Sequence, residues 1–247
     1  MPQDIRDLTA FYHTPLGRMA RRAILNEVTD IWPNLRNYRL LGYGFALPYL
    51  RAFAGTERTI AALPAAVGPL AENFGWPDGK NATLLCEEDA LPFPDVFFDR
   101  ILIVHGLEAS ESLRALLRQL WRVLAPEGRI LLVAPNRASL WAQVQKSPFG
   151  HGRPFSKPEL EGLLKDALFE PGRWRRALFA PPFETVTRSG LGWEKIGKRL
   201  FSGVGGVHVV EAAKSLYAPA TPKLLVGAQV GLKTAQNFEM VAPRRIR

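Results

Sequence analysis

The segment from residue 84 to residue 136 constrains the fold more than any other part of the chain. After a loop rich in acidic residues it has an apolar run at Arg100–His105, an amphipathic stretch from about Ser110 to Leu124, and a second apolar run at Arg129–Ala134. Leucine and valine recur in the amphipathic stretch at helical spacing, and Pro126-Glu127-Gly128 follows it as a stop signal. A strand, a helix and a strand in this order predict parallel strands joined by a crossover helix.

Apolar runs at intervals extend this alternation along the chain. Together they predict an α/β fold, with a Rossmann-like seven-stranded sheet flanked by helices on both faces. The predicted strands cover Asn37–Leu41, Arg58–Leu63, Ala82–Cys86, Arg100–His105, Arg129–Ala134, Arg173–Phe179 and Val207–Glu211.

The N-terminal segment carries helix signals. Apolar spacing over Asp4–Ile31, with Thr14-Pro15 as a start and Trp32-Pro33-Asn34 as a stop, predicts a helical cap over residues 1–36. We expect the cap to belong to a single domain over residues 1–217, with a helical insertion at about 183–202 and a basic tail over 218–247.

Three further helices are predicted between the strands. One follows the glycine-containing segment at residues 42–46 and runs through Phe53, and a short one covers Asn136–Gln145. The third begins at Ser156-Lys157-Pro158-Glu159, which has the form of a capping box, and runs to about Leu168.

The chain is basic, with a formal net charge of +9, and the excess lies after Pro171. Such a surface attracts RNA, anionic lipid or an acidic protein. It is equally typical of a solvated face that keeps a protein soluble. No apolar run reaches the length of about 18 residues that a membrane helix needs, so we expect a cytoplasmic protein with no membrane span. The single cysteine, Cys86, lies in an apolar run and is expected to be buried rather than reactive.

Residues 39–136 resemble the class I S-adenosylmethionine (SAM) methyltransferases of type 11, which act on small molecules. The resemblance rests on Glu88-Asp89-Ala90-Leu91-Pro92-Phe93, on His105-Gly106-Leu107-Glu108 and on Leu120-Trp121-Arg122-Val123-Leu124-Ala125-Pro126-Glu127-Gly128-Arg129. It implies that SAM is the cofactor. By the same resemblance the cofactor-binding positions are Gly42, Tyr43, Gly44, Glu88, Asp89, Ala90 and Leu91.

The cofactor motif departs from the family pattern at three positions. The third glycine of the turn after the first strand is Ala46, and two acidic positions are Leu40 and Leu63. In the family these two carboxylates accept hydrogen bonds from the methionine ammonium and from the ribose. Each lost bond is worth about 1.5–3 kcal/mol, so losing both lowers affinity by roughly two to four orders of magnitude unless other contacts replace them. Tyr43, Phe45 and Tyr49 offer such contacts, or they fill the vacant pocket; the sequence leaves both open.

His105 is the candidate catalytic residue. It ends a predicted strand at the edge of the sheet that faces the ligand in this fold, and the ordinary pKa of histidine suits a general base. The alternative is a structural histidine that donates to a backbone carbonyl. Asp89 has a similar alternative as the anchor of a turn. Tyr12, His13 and His151 are expected to form a substrate wall, although His151 is equally compatible with a surface loop.

The residues therefore support two main hypotheses. The first is a SAM-dependent methyltransferase acting on a small molecule, and the second is an inactive methyltransferase fold that serves as a binding or regulatory subunit for another protein. An RNA-associated role is weaker, because the basic region lacks an RNA motif. We expect no metal site, because one cysteine and four scattered histidines lack ligand spacing. Substrate identity and oligomeric state are not specified by the sequence.

Overall fold

A computed structural model describes residues 4–68, 82–183 and 205–216. Its centre is a seven-stranded sheet in the order β3-β2-β1-β4-β5-β7-β6. Strands β1 to β5 are parallel, and β7 runs antiparallel between β5 and β6. This confirms the predicted fold class; the predicted helical insertion and basic tail lie outside the described residues. The elements are α1 (Ile5–His13), α2 (Pro15–Ile31), β1 (Arg39–Gly44), α3 (Leu47–Leu50), β2 (Arg58–Pro64), β3 (Ala82–Cys86), β4 (Phe98–Val104), α4 (Leu113–Val123), β5 (Leu124–Pro135), α5 (Lys157–Asp166), β6 (Phe169–Ala177) and β7 (Val207–Lys214).

The central strands are apolar because helices cover both faces of the sheet. One face packs against α1, α2 and α3, and the other packs against α4 and α5. Successive side chains of a strand point to opposite faces, so Leu40 joins the first cluster and Leu41 joins the second. The order reverses at β1, which pairs with β2 on one side and β4 on the other. In such sheets a crevice opens at the carboxyl ends of the two strands at the reversal.

The N-terminal cap consists of two helices rather than one. Thr14 separates them, and its hydroxyl accepts a hydrogen bond from the amide of Gly17 at 2.9 Å, which caps α2 as the sequence predicts. A Cβ at Gly17 would lie 1.9 Å from the carbonyl oxygen of Phe11. Glycine therefore lets α1 fold back closely on α2, and this holds α1 against the sheet.

Two predictions of local structure are wrong. The expected helix over Asn136–Gln145 is only a 3₁₀ turn at Leu140–Ala142. Polar side chains compete with a helix here, because Asn136 donates to the Gly205 carbonyl at 2.8 Å and Ser139 donates to the Asn136 carbonyl at 2.7 Å.

The second wrong prediction of local structure concerns the stop signal after α4. The helix ends at Val123, and β5 already begins at Leu124, so Pro126-Glu127-Gly128 lies inside a strand. A register shift opposite Asp99 accommodates these residues, since Phe98 pairs with Leu124 and Arg100 pairs with Arg129. Proline lacks the amide that a regular ladder needs, and an irregularity of this kind tolerates it.

Cys86 is buried at the end of β3, as predicted. Burial raises the pKa of its thiol to about 11, which leaves little thiolate at neutral pH. Among the helices that the structure describes, none is both long and apolar enough to cross a bilayer.

His208 is a buried histidine on β7, and we expect it to make the protein sensitive to acid. Burial and the charge of Arg176 lower its pKa from 6.5 to about 4. Between about pH 6.5 and 4, the unfolded chain therefore binds a proton at His208 that the folded chain does not bind. The contribution of His208 to stability is present above pH 6.5 and is lost as the pH falls towards 4. From pH 7 to pH 4 this one residue costs about 3 kcal/mol.

The measurement is the free energy of unfolding by urea at pH 7, 5 and 4. His208→Phe keeps a ring beside Trp174 and removes the titration, so the variant should lose less stability on acidification than the wild type. His13→Gln, at an exposed position, is the control and should follow the wild type. Equal losses in wild type and His208→Phe would show that His208 is not the acid-sensitive group.

Candidate active site

The end of β1 holds the two glycines that the sequence assigns to cofactor binding. Gly44 has φ +74°, and a Cβ there would lie 2.3 Å from the carbonyl oxygen of Val104 at the end of β4. That carbonyl accepts a hydrogen bond from the amide of Phe45 at 2.7 Å. A Cβ at Gly42 would lie 2.6 Å from the side chain of Leu50. Gly44 therefore lets the ends of β1 and β4 come together, and α3 packs directly on Gly42.

The two missing carboxylates are replaced by core residues. Leu40 and Leu63 are fully buried in the apolar cluster on the α2 face of the sheet. Glu57, the nearest acidic residue to β2 along the chain, is exposed before the first residue of that strand. Neither of the two family positions therefore offers a charge to a ligand.

Tyr43 lies between the two glycines and is fully buried. A Cβ at Gly106 would lie 2.8 Å from the Tyr43 ring, so the ring packs directly on this glycine. The hydroxyl oxygen of Tyr43 has no hydrogen-bond partner among the described residues. Burial, together with the negative charges of Glu88 and Glu87, raises the pKa of this phenol. Tyr43 is therefore a neutral hydroxyl that remains able to donate a hydrogen bond.

The predicted cofactor loop after β3 forms a tight turn. Glu88 accepts hydrogen bonds from the hydroxyl of Ser110 at 2.7 Å and from the amide of Ser112 at 3.2 Å, so it joins this loop to the segment before α4. Asp89 and Ala90 are exposed, and Leu91 is buried. The exposed carboxylate of Asp89 makes no hydrogen bond within the described part of the chain, which leaves it available to a ligand.

Arg122 of α4 fixes the next part of the same loop. Its guanidinium donates to the carbonyl oxygens of Leu91 and Phe93, both at 2.8 Å, and pairs with Asp95. Three fixed donor directions on one side chain hold this backbone in a single conformation. The sequence places Arg122 only within a family motif, and its role is visible only once α4 packs beneath the loop.

His105 lies at the carboxyl end of β4, in a strained backbone conformation with φ +52°. Its ring is buried and has a partner at each nitrogen. Nδ1 lies 2.9 Å from a carboxylate oxygen of Glu108, and Nε2 lies 2.8 Å from the hydroxyl of Tyr12. Tyr12 is in turn 2.9 Å from the hydroxyl of Tyr49. Four buried polar side chains thus form one hydrogen-bonded chain, which we call the His105 network.

The partners assign the protons of this network. An ionised Glu108 can only accept, so Nδ1 of His105 carries the hydrogen and donates to it. In the neutral ring Nε2 then accepts from Tyr12, and the Tyr12 oxygen accepts from Tyr49. Burial raises the pKa of both tyrosines, so both stay protonated as this direction requires. His105 is therefore held as the tautomer with its lone pair on Nε2.

Glu108 also carries an unused acceptor. Its second carboxylate oxygen is buried and has no hydrogen-bond partner among the described residues. A buried carboxylate oxygen is costly unless a donor reaches it. With the free hydroxyl of Tyr43, it gives two unsatisfied polar atoms near the carboxyl ends of β1 and β4. Both atoms are fully buried.

Aromatic rings enclose the network. Phe149 packs on His105 with a centroid distance of 4.8 Å, and Phe45 stacks on Tyr12 at 5.6 Å. Tyr12 comes from α1, so the N-terminal cap completes the site. The amide of Arg153 donates to the backbone carbonyl of Glu108 at 2.8 Å, which fixes the loop that carries Phe149.

The three predicted wall residues are therefore not equivalent. Tyr12 belongs to the network, whereas His13 is exposed and lines a neighbouring pocket. The ring of His151 donates back to the carbonyl of Gln145 at 2.6 Å, and it is Phe149, two residues earlier, that contacts His105. The sequence reasoning assigned no role to Glu108 or Phe149. The three-residue spacing of His105 and Glu108 after a strand is the only signal that pointed to the pair.

Known proteins resemble this chain over the same elements. Residues 41–132, from β1 to β5, match the family model of a methyltransferase domain. A curated relative, the ubiquinone/menaquinone biosynthesis C-methyltransferase of Yersinia pestis, is 39% identical over 87 residues, which are 35% of this chain and 27% of that protein. The match spans only about a quarter of the relative's length.

Solved structures share the whole arrangement at low identity. The chain matched in the complex of a methyltransferase with the Haloferax volcanii Trm112 methyltransferase activator has a TM-score of 0.62 at 15% identity, over 86% of this chain and 99% of that one. A SAM-dependent methyltransferase from Thermotoga maritima has a TM-score of 0.58 at 19% identity, over 85% and 96%. These structures show that the chain has the class I methyltransferase fold, and its residues 41–132, from β1 to β5, resemble the methyltransferase-domain family.

Proposed function

We propose that the protein is a SAM-dependent methyltransferase that acts on a small molecule with an acidic O–H or C–H group, and that His105 is its general base. The His105 network carries this proposal. His105 is held at Nδ1 by a buried carboxylate, and its Nε2, which bonds the Tyr12 hydroxyl, lies at the carboxyl end of β4. The C-methyltransferase relative supports an acceptor that must lose a proton.

The residues of the crevice fit a polar cofactor with fewer charged contacts than the family pattern has. Gly42 and Gly44 let α3 and the end of β4 pack closely on β1, and Tyr43 and Glu108 each have a buried polar atom without a partner among the described residues. Asp89 adds an exposed carboxylate in the neighbouring loop. In this proposal Glu108 accepts the hydrogen bond from the methionine ammonium of SAM that Leu40 cannot accept. SAM, when bound, supplies an electrophilic methyl group.

The chain's own residues then handle the proton. An acceptor that takes the place of the Tyr12 hydroxyl at Nε2 meets the lone pair of a neutral imidazole. The proton passes from the acceptor to Nε2 as its oxygen or carbon takes the methyl group, and Glu108 stabilises the imidazolium that forms. Phe149 and Phe45 exclude water, which strengthens the electrostatic effect of Glu108.

The alternative of an inactive methyltransferase fold rests on Leu40 and Leu63. The comparisons lend it no support. It differs from the first proposal in one measurable respect, because a crevice filled by its own side chains does not bind the cofactor.

Calorimetric titration of SAM and S-adenosylhomocysteine into the protein tests the proposal. We expect binding in the micromolar range, about 8 kcal/mol. Glu108→Ala should weaken SAM binding by roughly tenfold or more, because a charge-assisted hydrogen bond is lost. Glu111→Gln, an exposed position three residues along, is the control and should bind as the wild type does. Absence of heat from both ligands up to millimolar concentration would contradict the proposal and favour the inactive fold.

A further inference from the structure

A pocket of about 240 Å³ lies beside the His105 network, between the N-terminal cap and α3. We call it the arginine pocket, because three of the nine described residues that line it are arginines and none of these nine is acidic. Its lining consists of Thr9, Tyr12, His13, Arg18, Arg21, Phe45, Leu47, Pro48 and Arg51.

The arginines are available to a ligand. Arg21 and Arg51 make no ion pair or side-chain hydrogen bond within the described part of the chain, although ten other ion pairs occur there. Arg18 donates one hydrogen bond to the backbone carbonyl of His13, which holds its guanidinium at this position. Like charges with no counter-ion repel one another, so an anion placed among them gains from all three. A planar guanidinium also matches a carboxylate or phosphate with two parallel hydrogen bonds.

The lining also has an apolar part. Phe45, Leu47 and Pro48 contribute it, which suits a hydrophobic body attached to the anionic group. The pocket and the network share Tyr12 and Phe45, and the positive charge of Arg21 acts on both Tyr12 and Tyr49, partly offsetting the effect of burial that raises their pKa values. A molecule in the pocket is therefore in contact with the residue that bonds Nε2 of His105.

We infer that the arginine pocket binds the anionic end of the methyl acceptor, so that the substrate is a small aromatic or alicyclic molecule bearing a carboxylate or a phosphate. The role as a substrate site rests on the proposed function, whereas the anion site itself does not. The size of the pocket and the apolar part of its lining favour a small molecule over a polyanion such as RNA, which binds along open grooves.

Titration with benzoate, phenyl phosphate and the neutral benzamide tests the inference. Both anions should bind, and benzamide should bind at least about tenfold more weakly, because it forms no charge-assisted bonds. Arg21→Gln/Arg51→Gln should raise the Kd of both anions at least about tenfold. Arg22→Gln, on an exposed neighbour outside the lining, should not. The anion with the lower Kd then identifies the natural group as a carboxylate or a phosphate.

Three outcomes would overturn the inference: no binding of either anion up to ten millimolar (about 3 kcal/mol), equal binding of benzamide, or unchanged binding by the double variant. SAM titration into the double variant separates this result from the proposed function, since its Kd should equal that of the wild type. If SAM does not bind the wild type while the anions do, the proposed function fails and the anion site stands.

Discussion

His105→Ala is expected to lower the rate of methyl transfer by about 10²–10⁴-fold, the usual contribution of a positioned general base. The substitution removes the lone pair on Nε2 and leaves Glu108 and Tyr12 without their common partner. SAM binding should survive, because Glu108 and the predicted cofactor loop after β3 are retained. The rate is measured as S-adenosylhomocysteine released with an anionic acceptor that the wild type methylates.

Two further observations distinguish a base from a structural residue. Imidazole added to His105→Ala should restore part of the lost rate, because it returns a proton acceptor to the space left by the ring. Glu108→Gln still accepts from Nδ1 but is neutral, so it should lose roughly tenfold in rate, the worth of a charge-assisted bond. A rate in His105→Ala within about threefold of the wild type, under conditions where SAM is bound, would remove His105 from the chemistry.

The fold was predictable because its signals are local and repeat. Each central strand is an apolar run of ordinary length, and the order of strands and helices leaves few topologies for a parallel sheet. The capping box at Ser156 and the cap at Thr14 are both present, since each depends on residues only three apart. The prediction failed at Asn136, whose side chain bonds to Gly205, a contact that no local pattern reveals.

The candidate site was predictable only in part, because its members come from distant segments. The sequence places His105 at a strand end and Tyr12 in a wall, but their hydrogen bond joins residues 93 positions apart. Glu108 was visible only as part of a family motif. Likewise, Leu40 stands where the family has an acidic residue, which the sequence shows only as a lost charge. The structure has the buried carboxylate of Glu108 after β4, and we propose that it replaces this charge.

Gly44→Ala is expected to be the most destabilising small substitution in the crevice. Alanine at φ +74° costs about 1–3 kcal/mol in backbone strain. Its Cβ would also lie 2.3 Å from the Val104 carbonyl, so β1 and β4 must separate, which adds about 1–3 kcal/mol. We expect a total loss of about 2–6 kcal/mol, a large part of the stability of an ordinary domain.

Two other glycines isolate these causes. Gly68 has φ +83°, and no atom of the described residues would lie within 4 Å of a Cβ there, so Gly68→Ala should show the strain alone. Gly162, in α5, has open space and no positive φ, and its alanine variant should gain about 0.5–1 kcal/mol. Urea unfolding of the three variants gives the order Gly162→Ala, Gly68→Ala, Gly44→Ala from most to least stable. If Gly44→Ala lost no more stability than Gly68→Ala, the contact between the ends of β1 and β4 would be looser than described. SAM binding by Gly44→Ala should then also be retained, whereas separation of the two strands would displace the segment that we propose lies beside the cofactor.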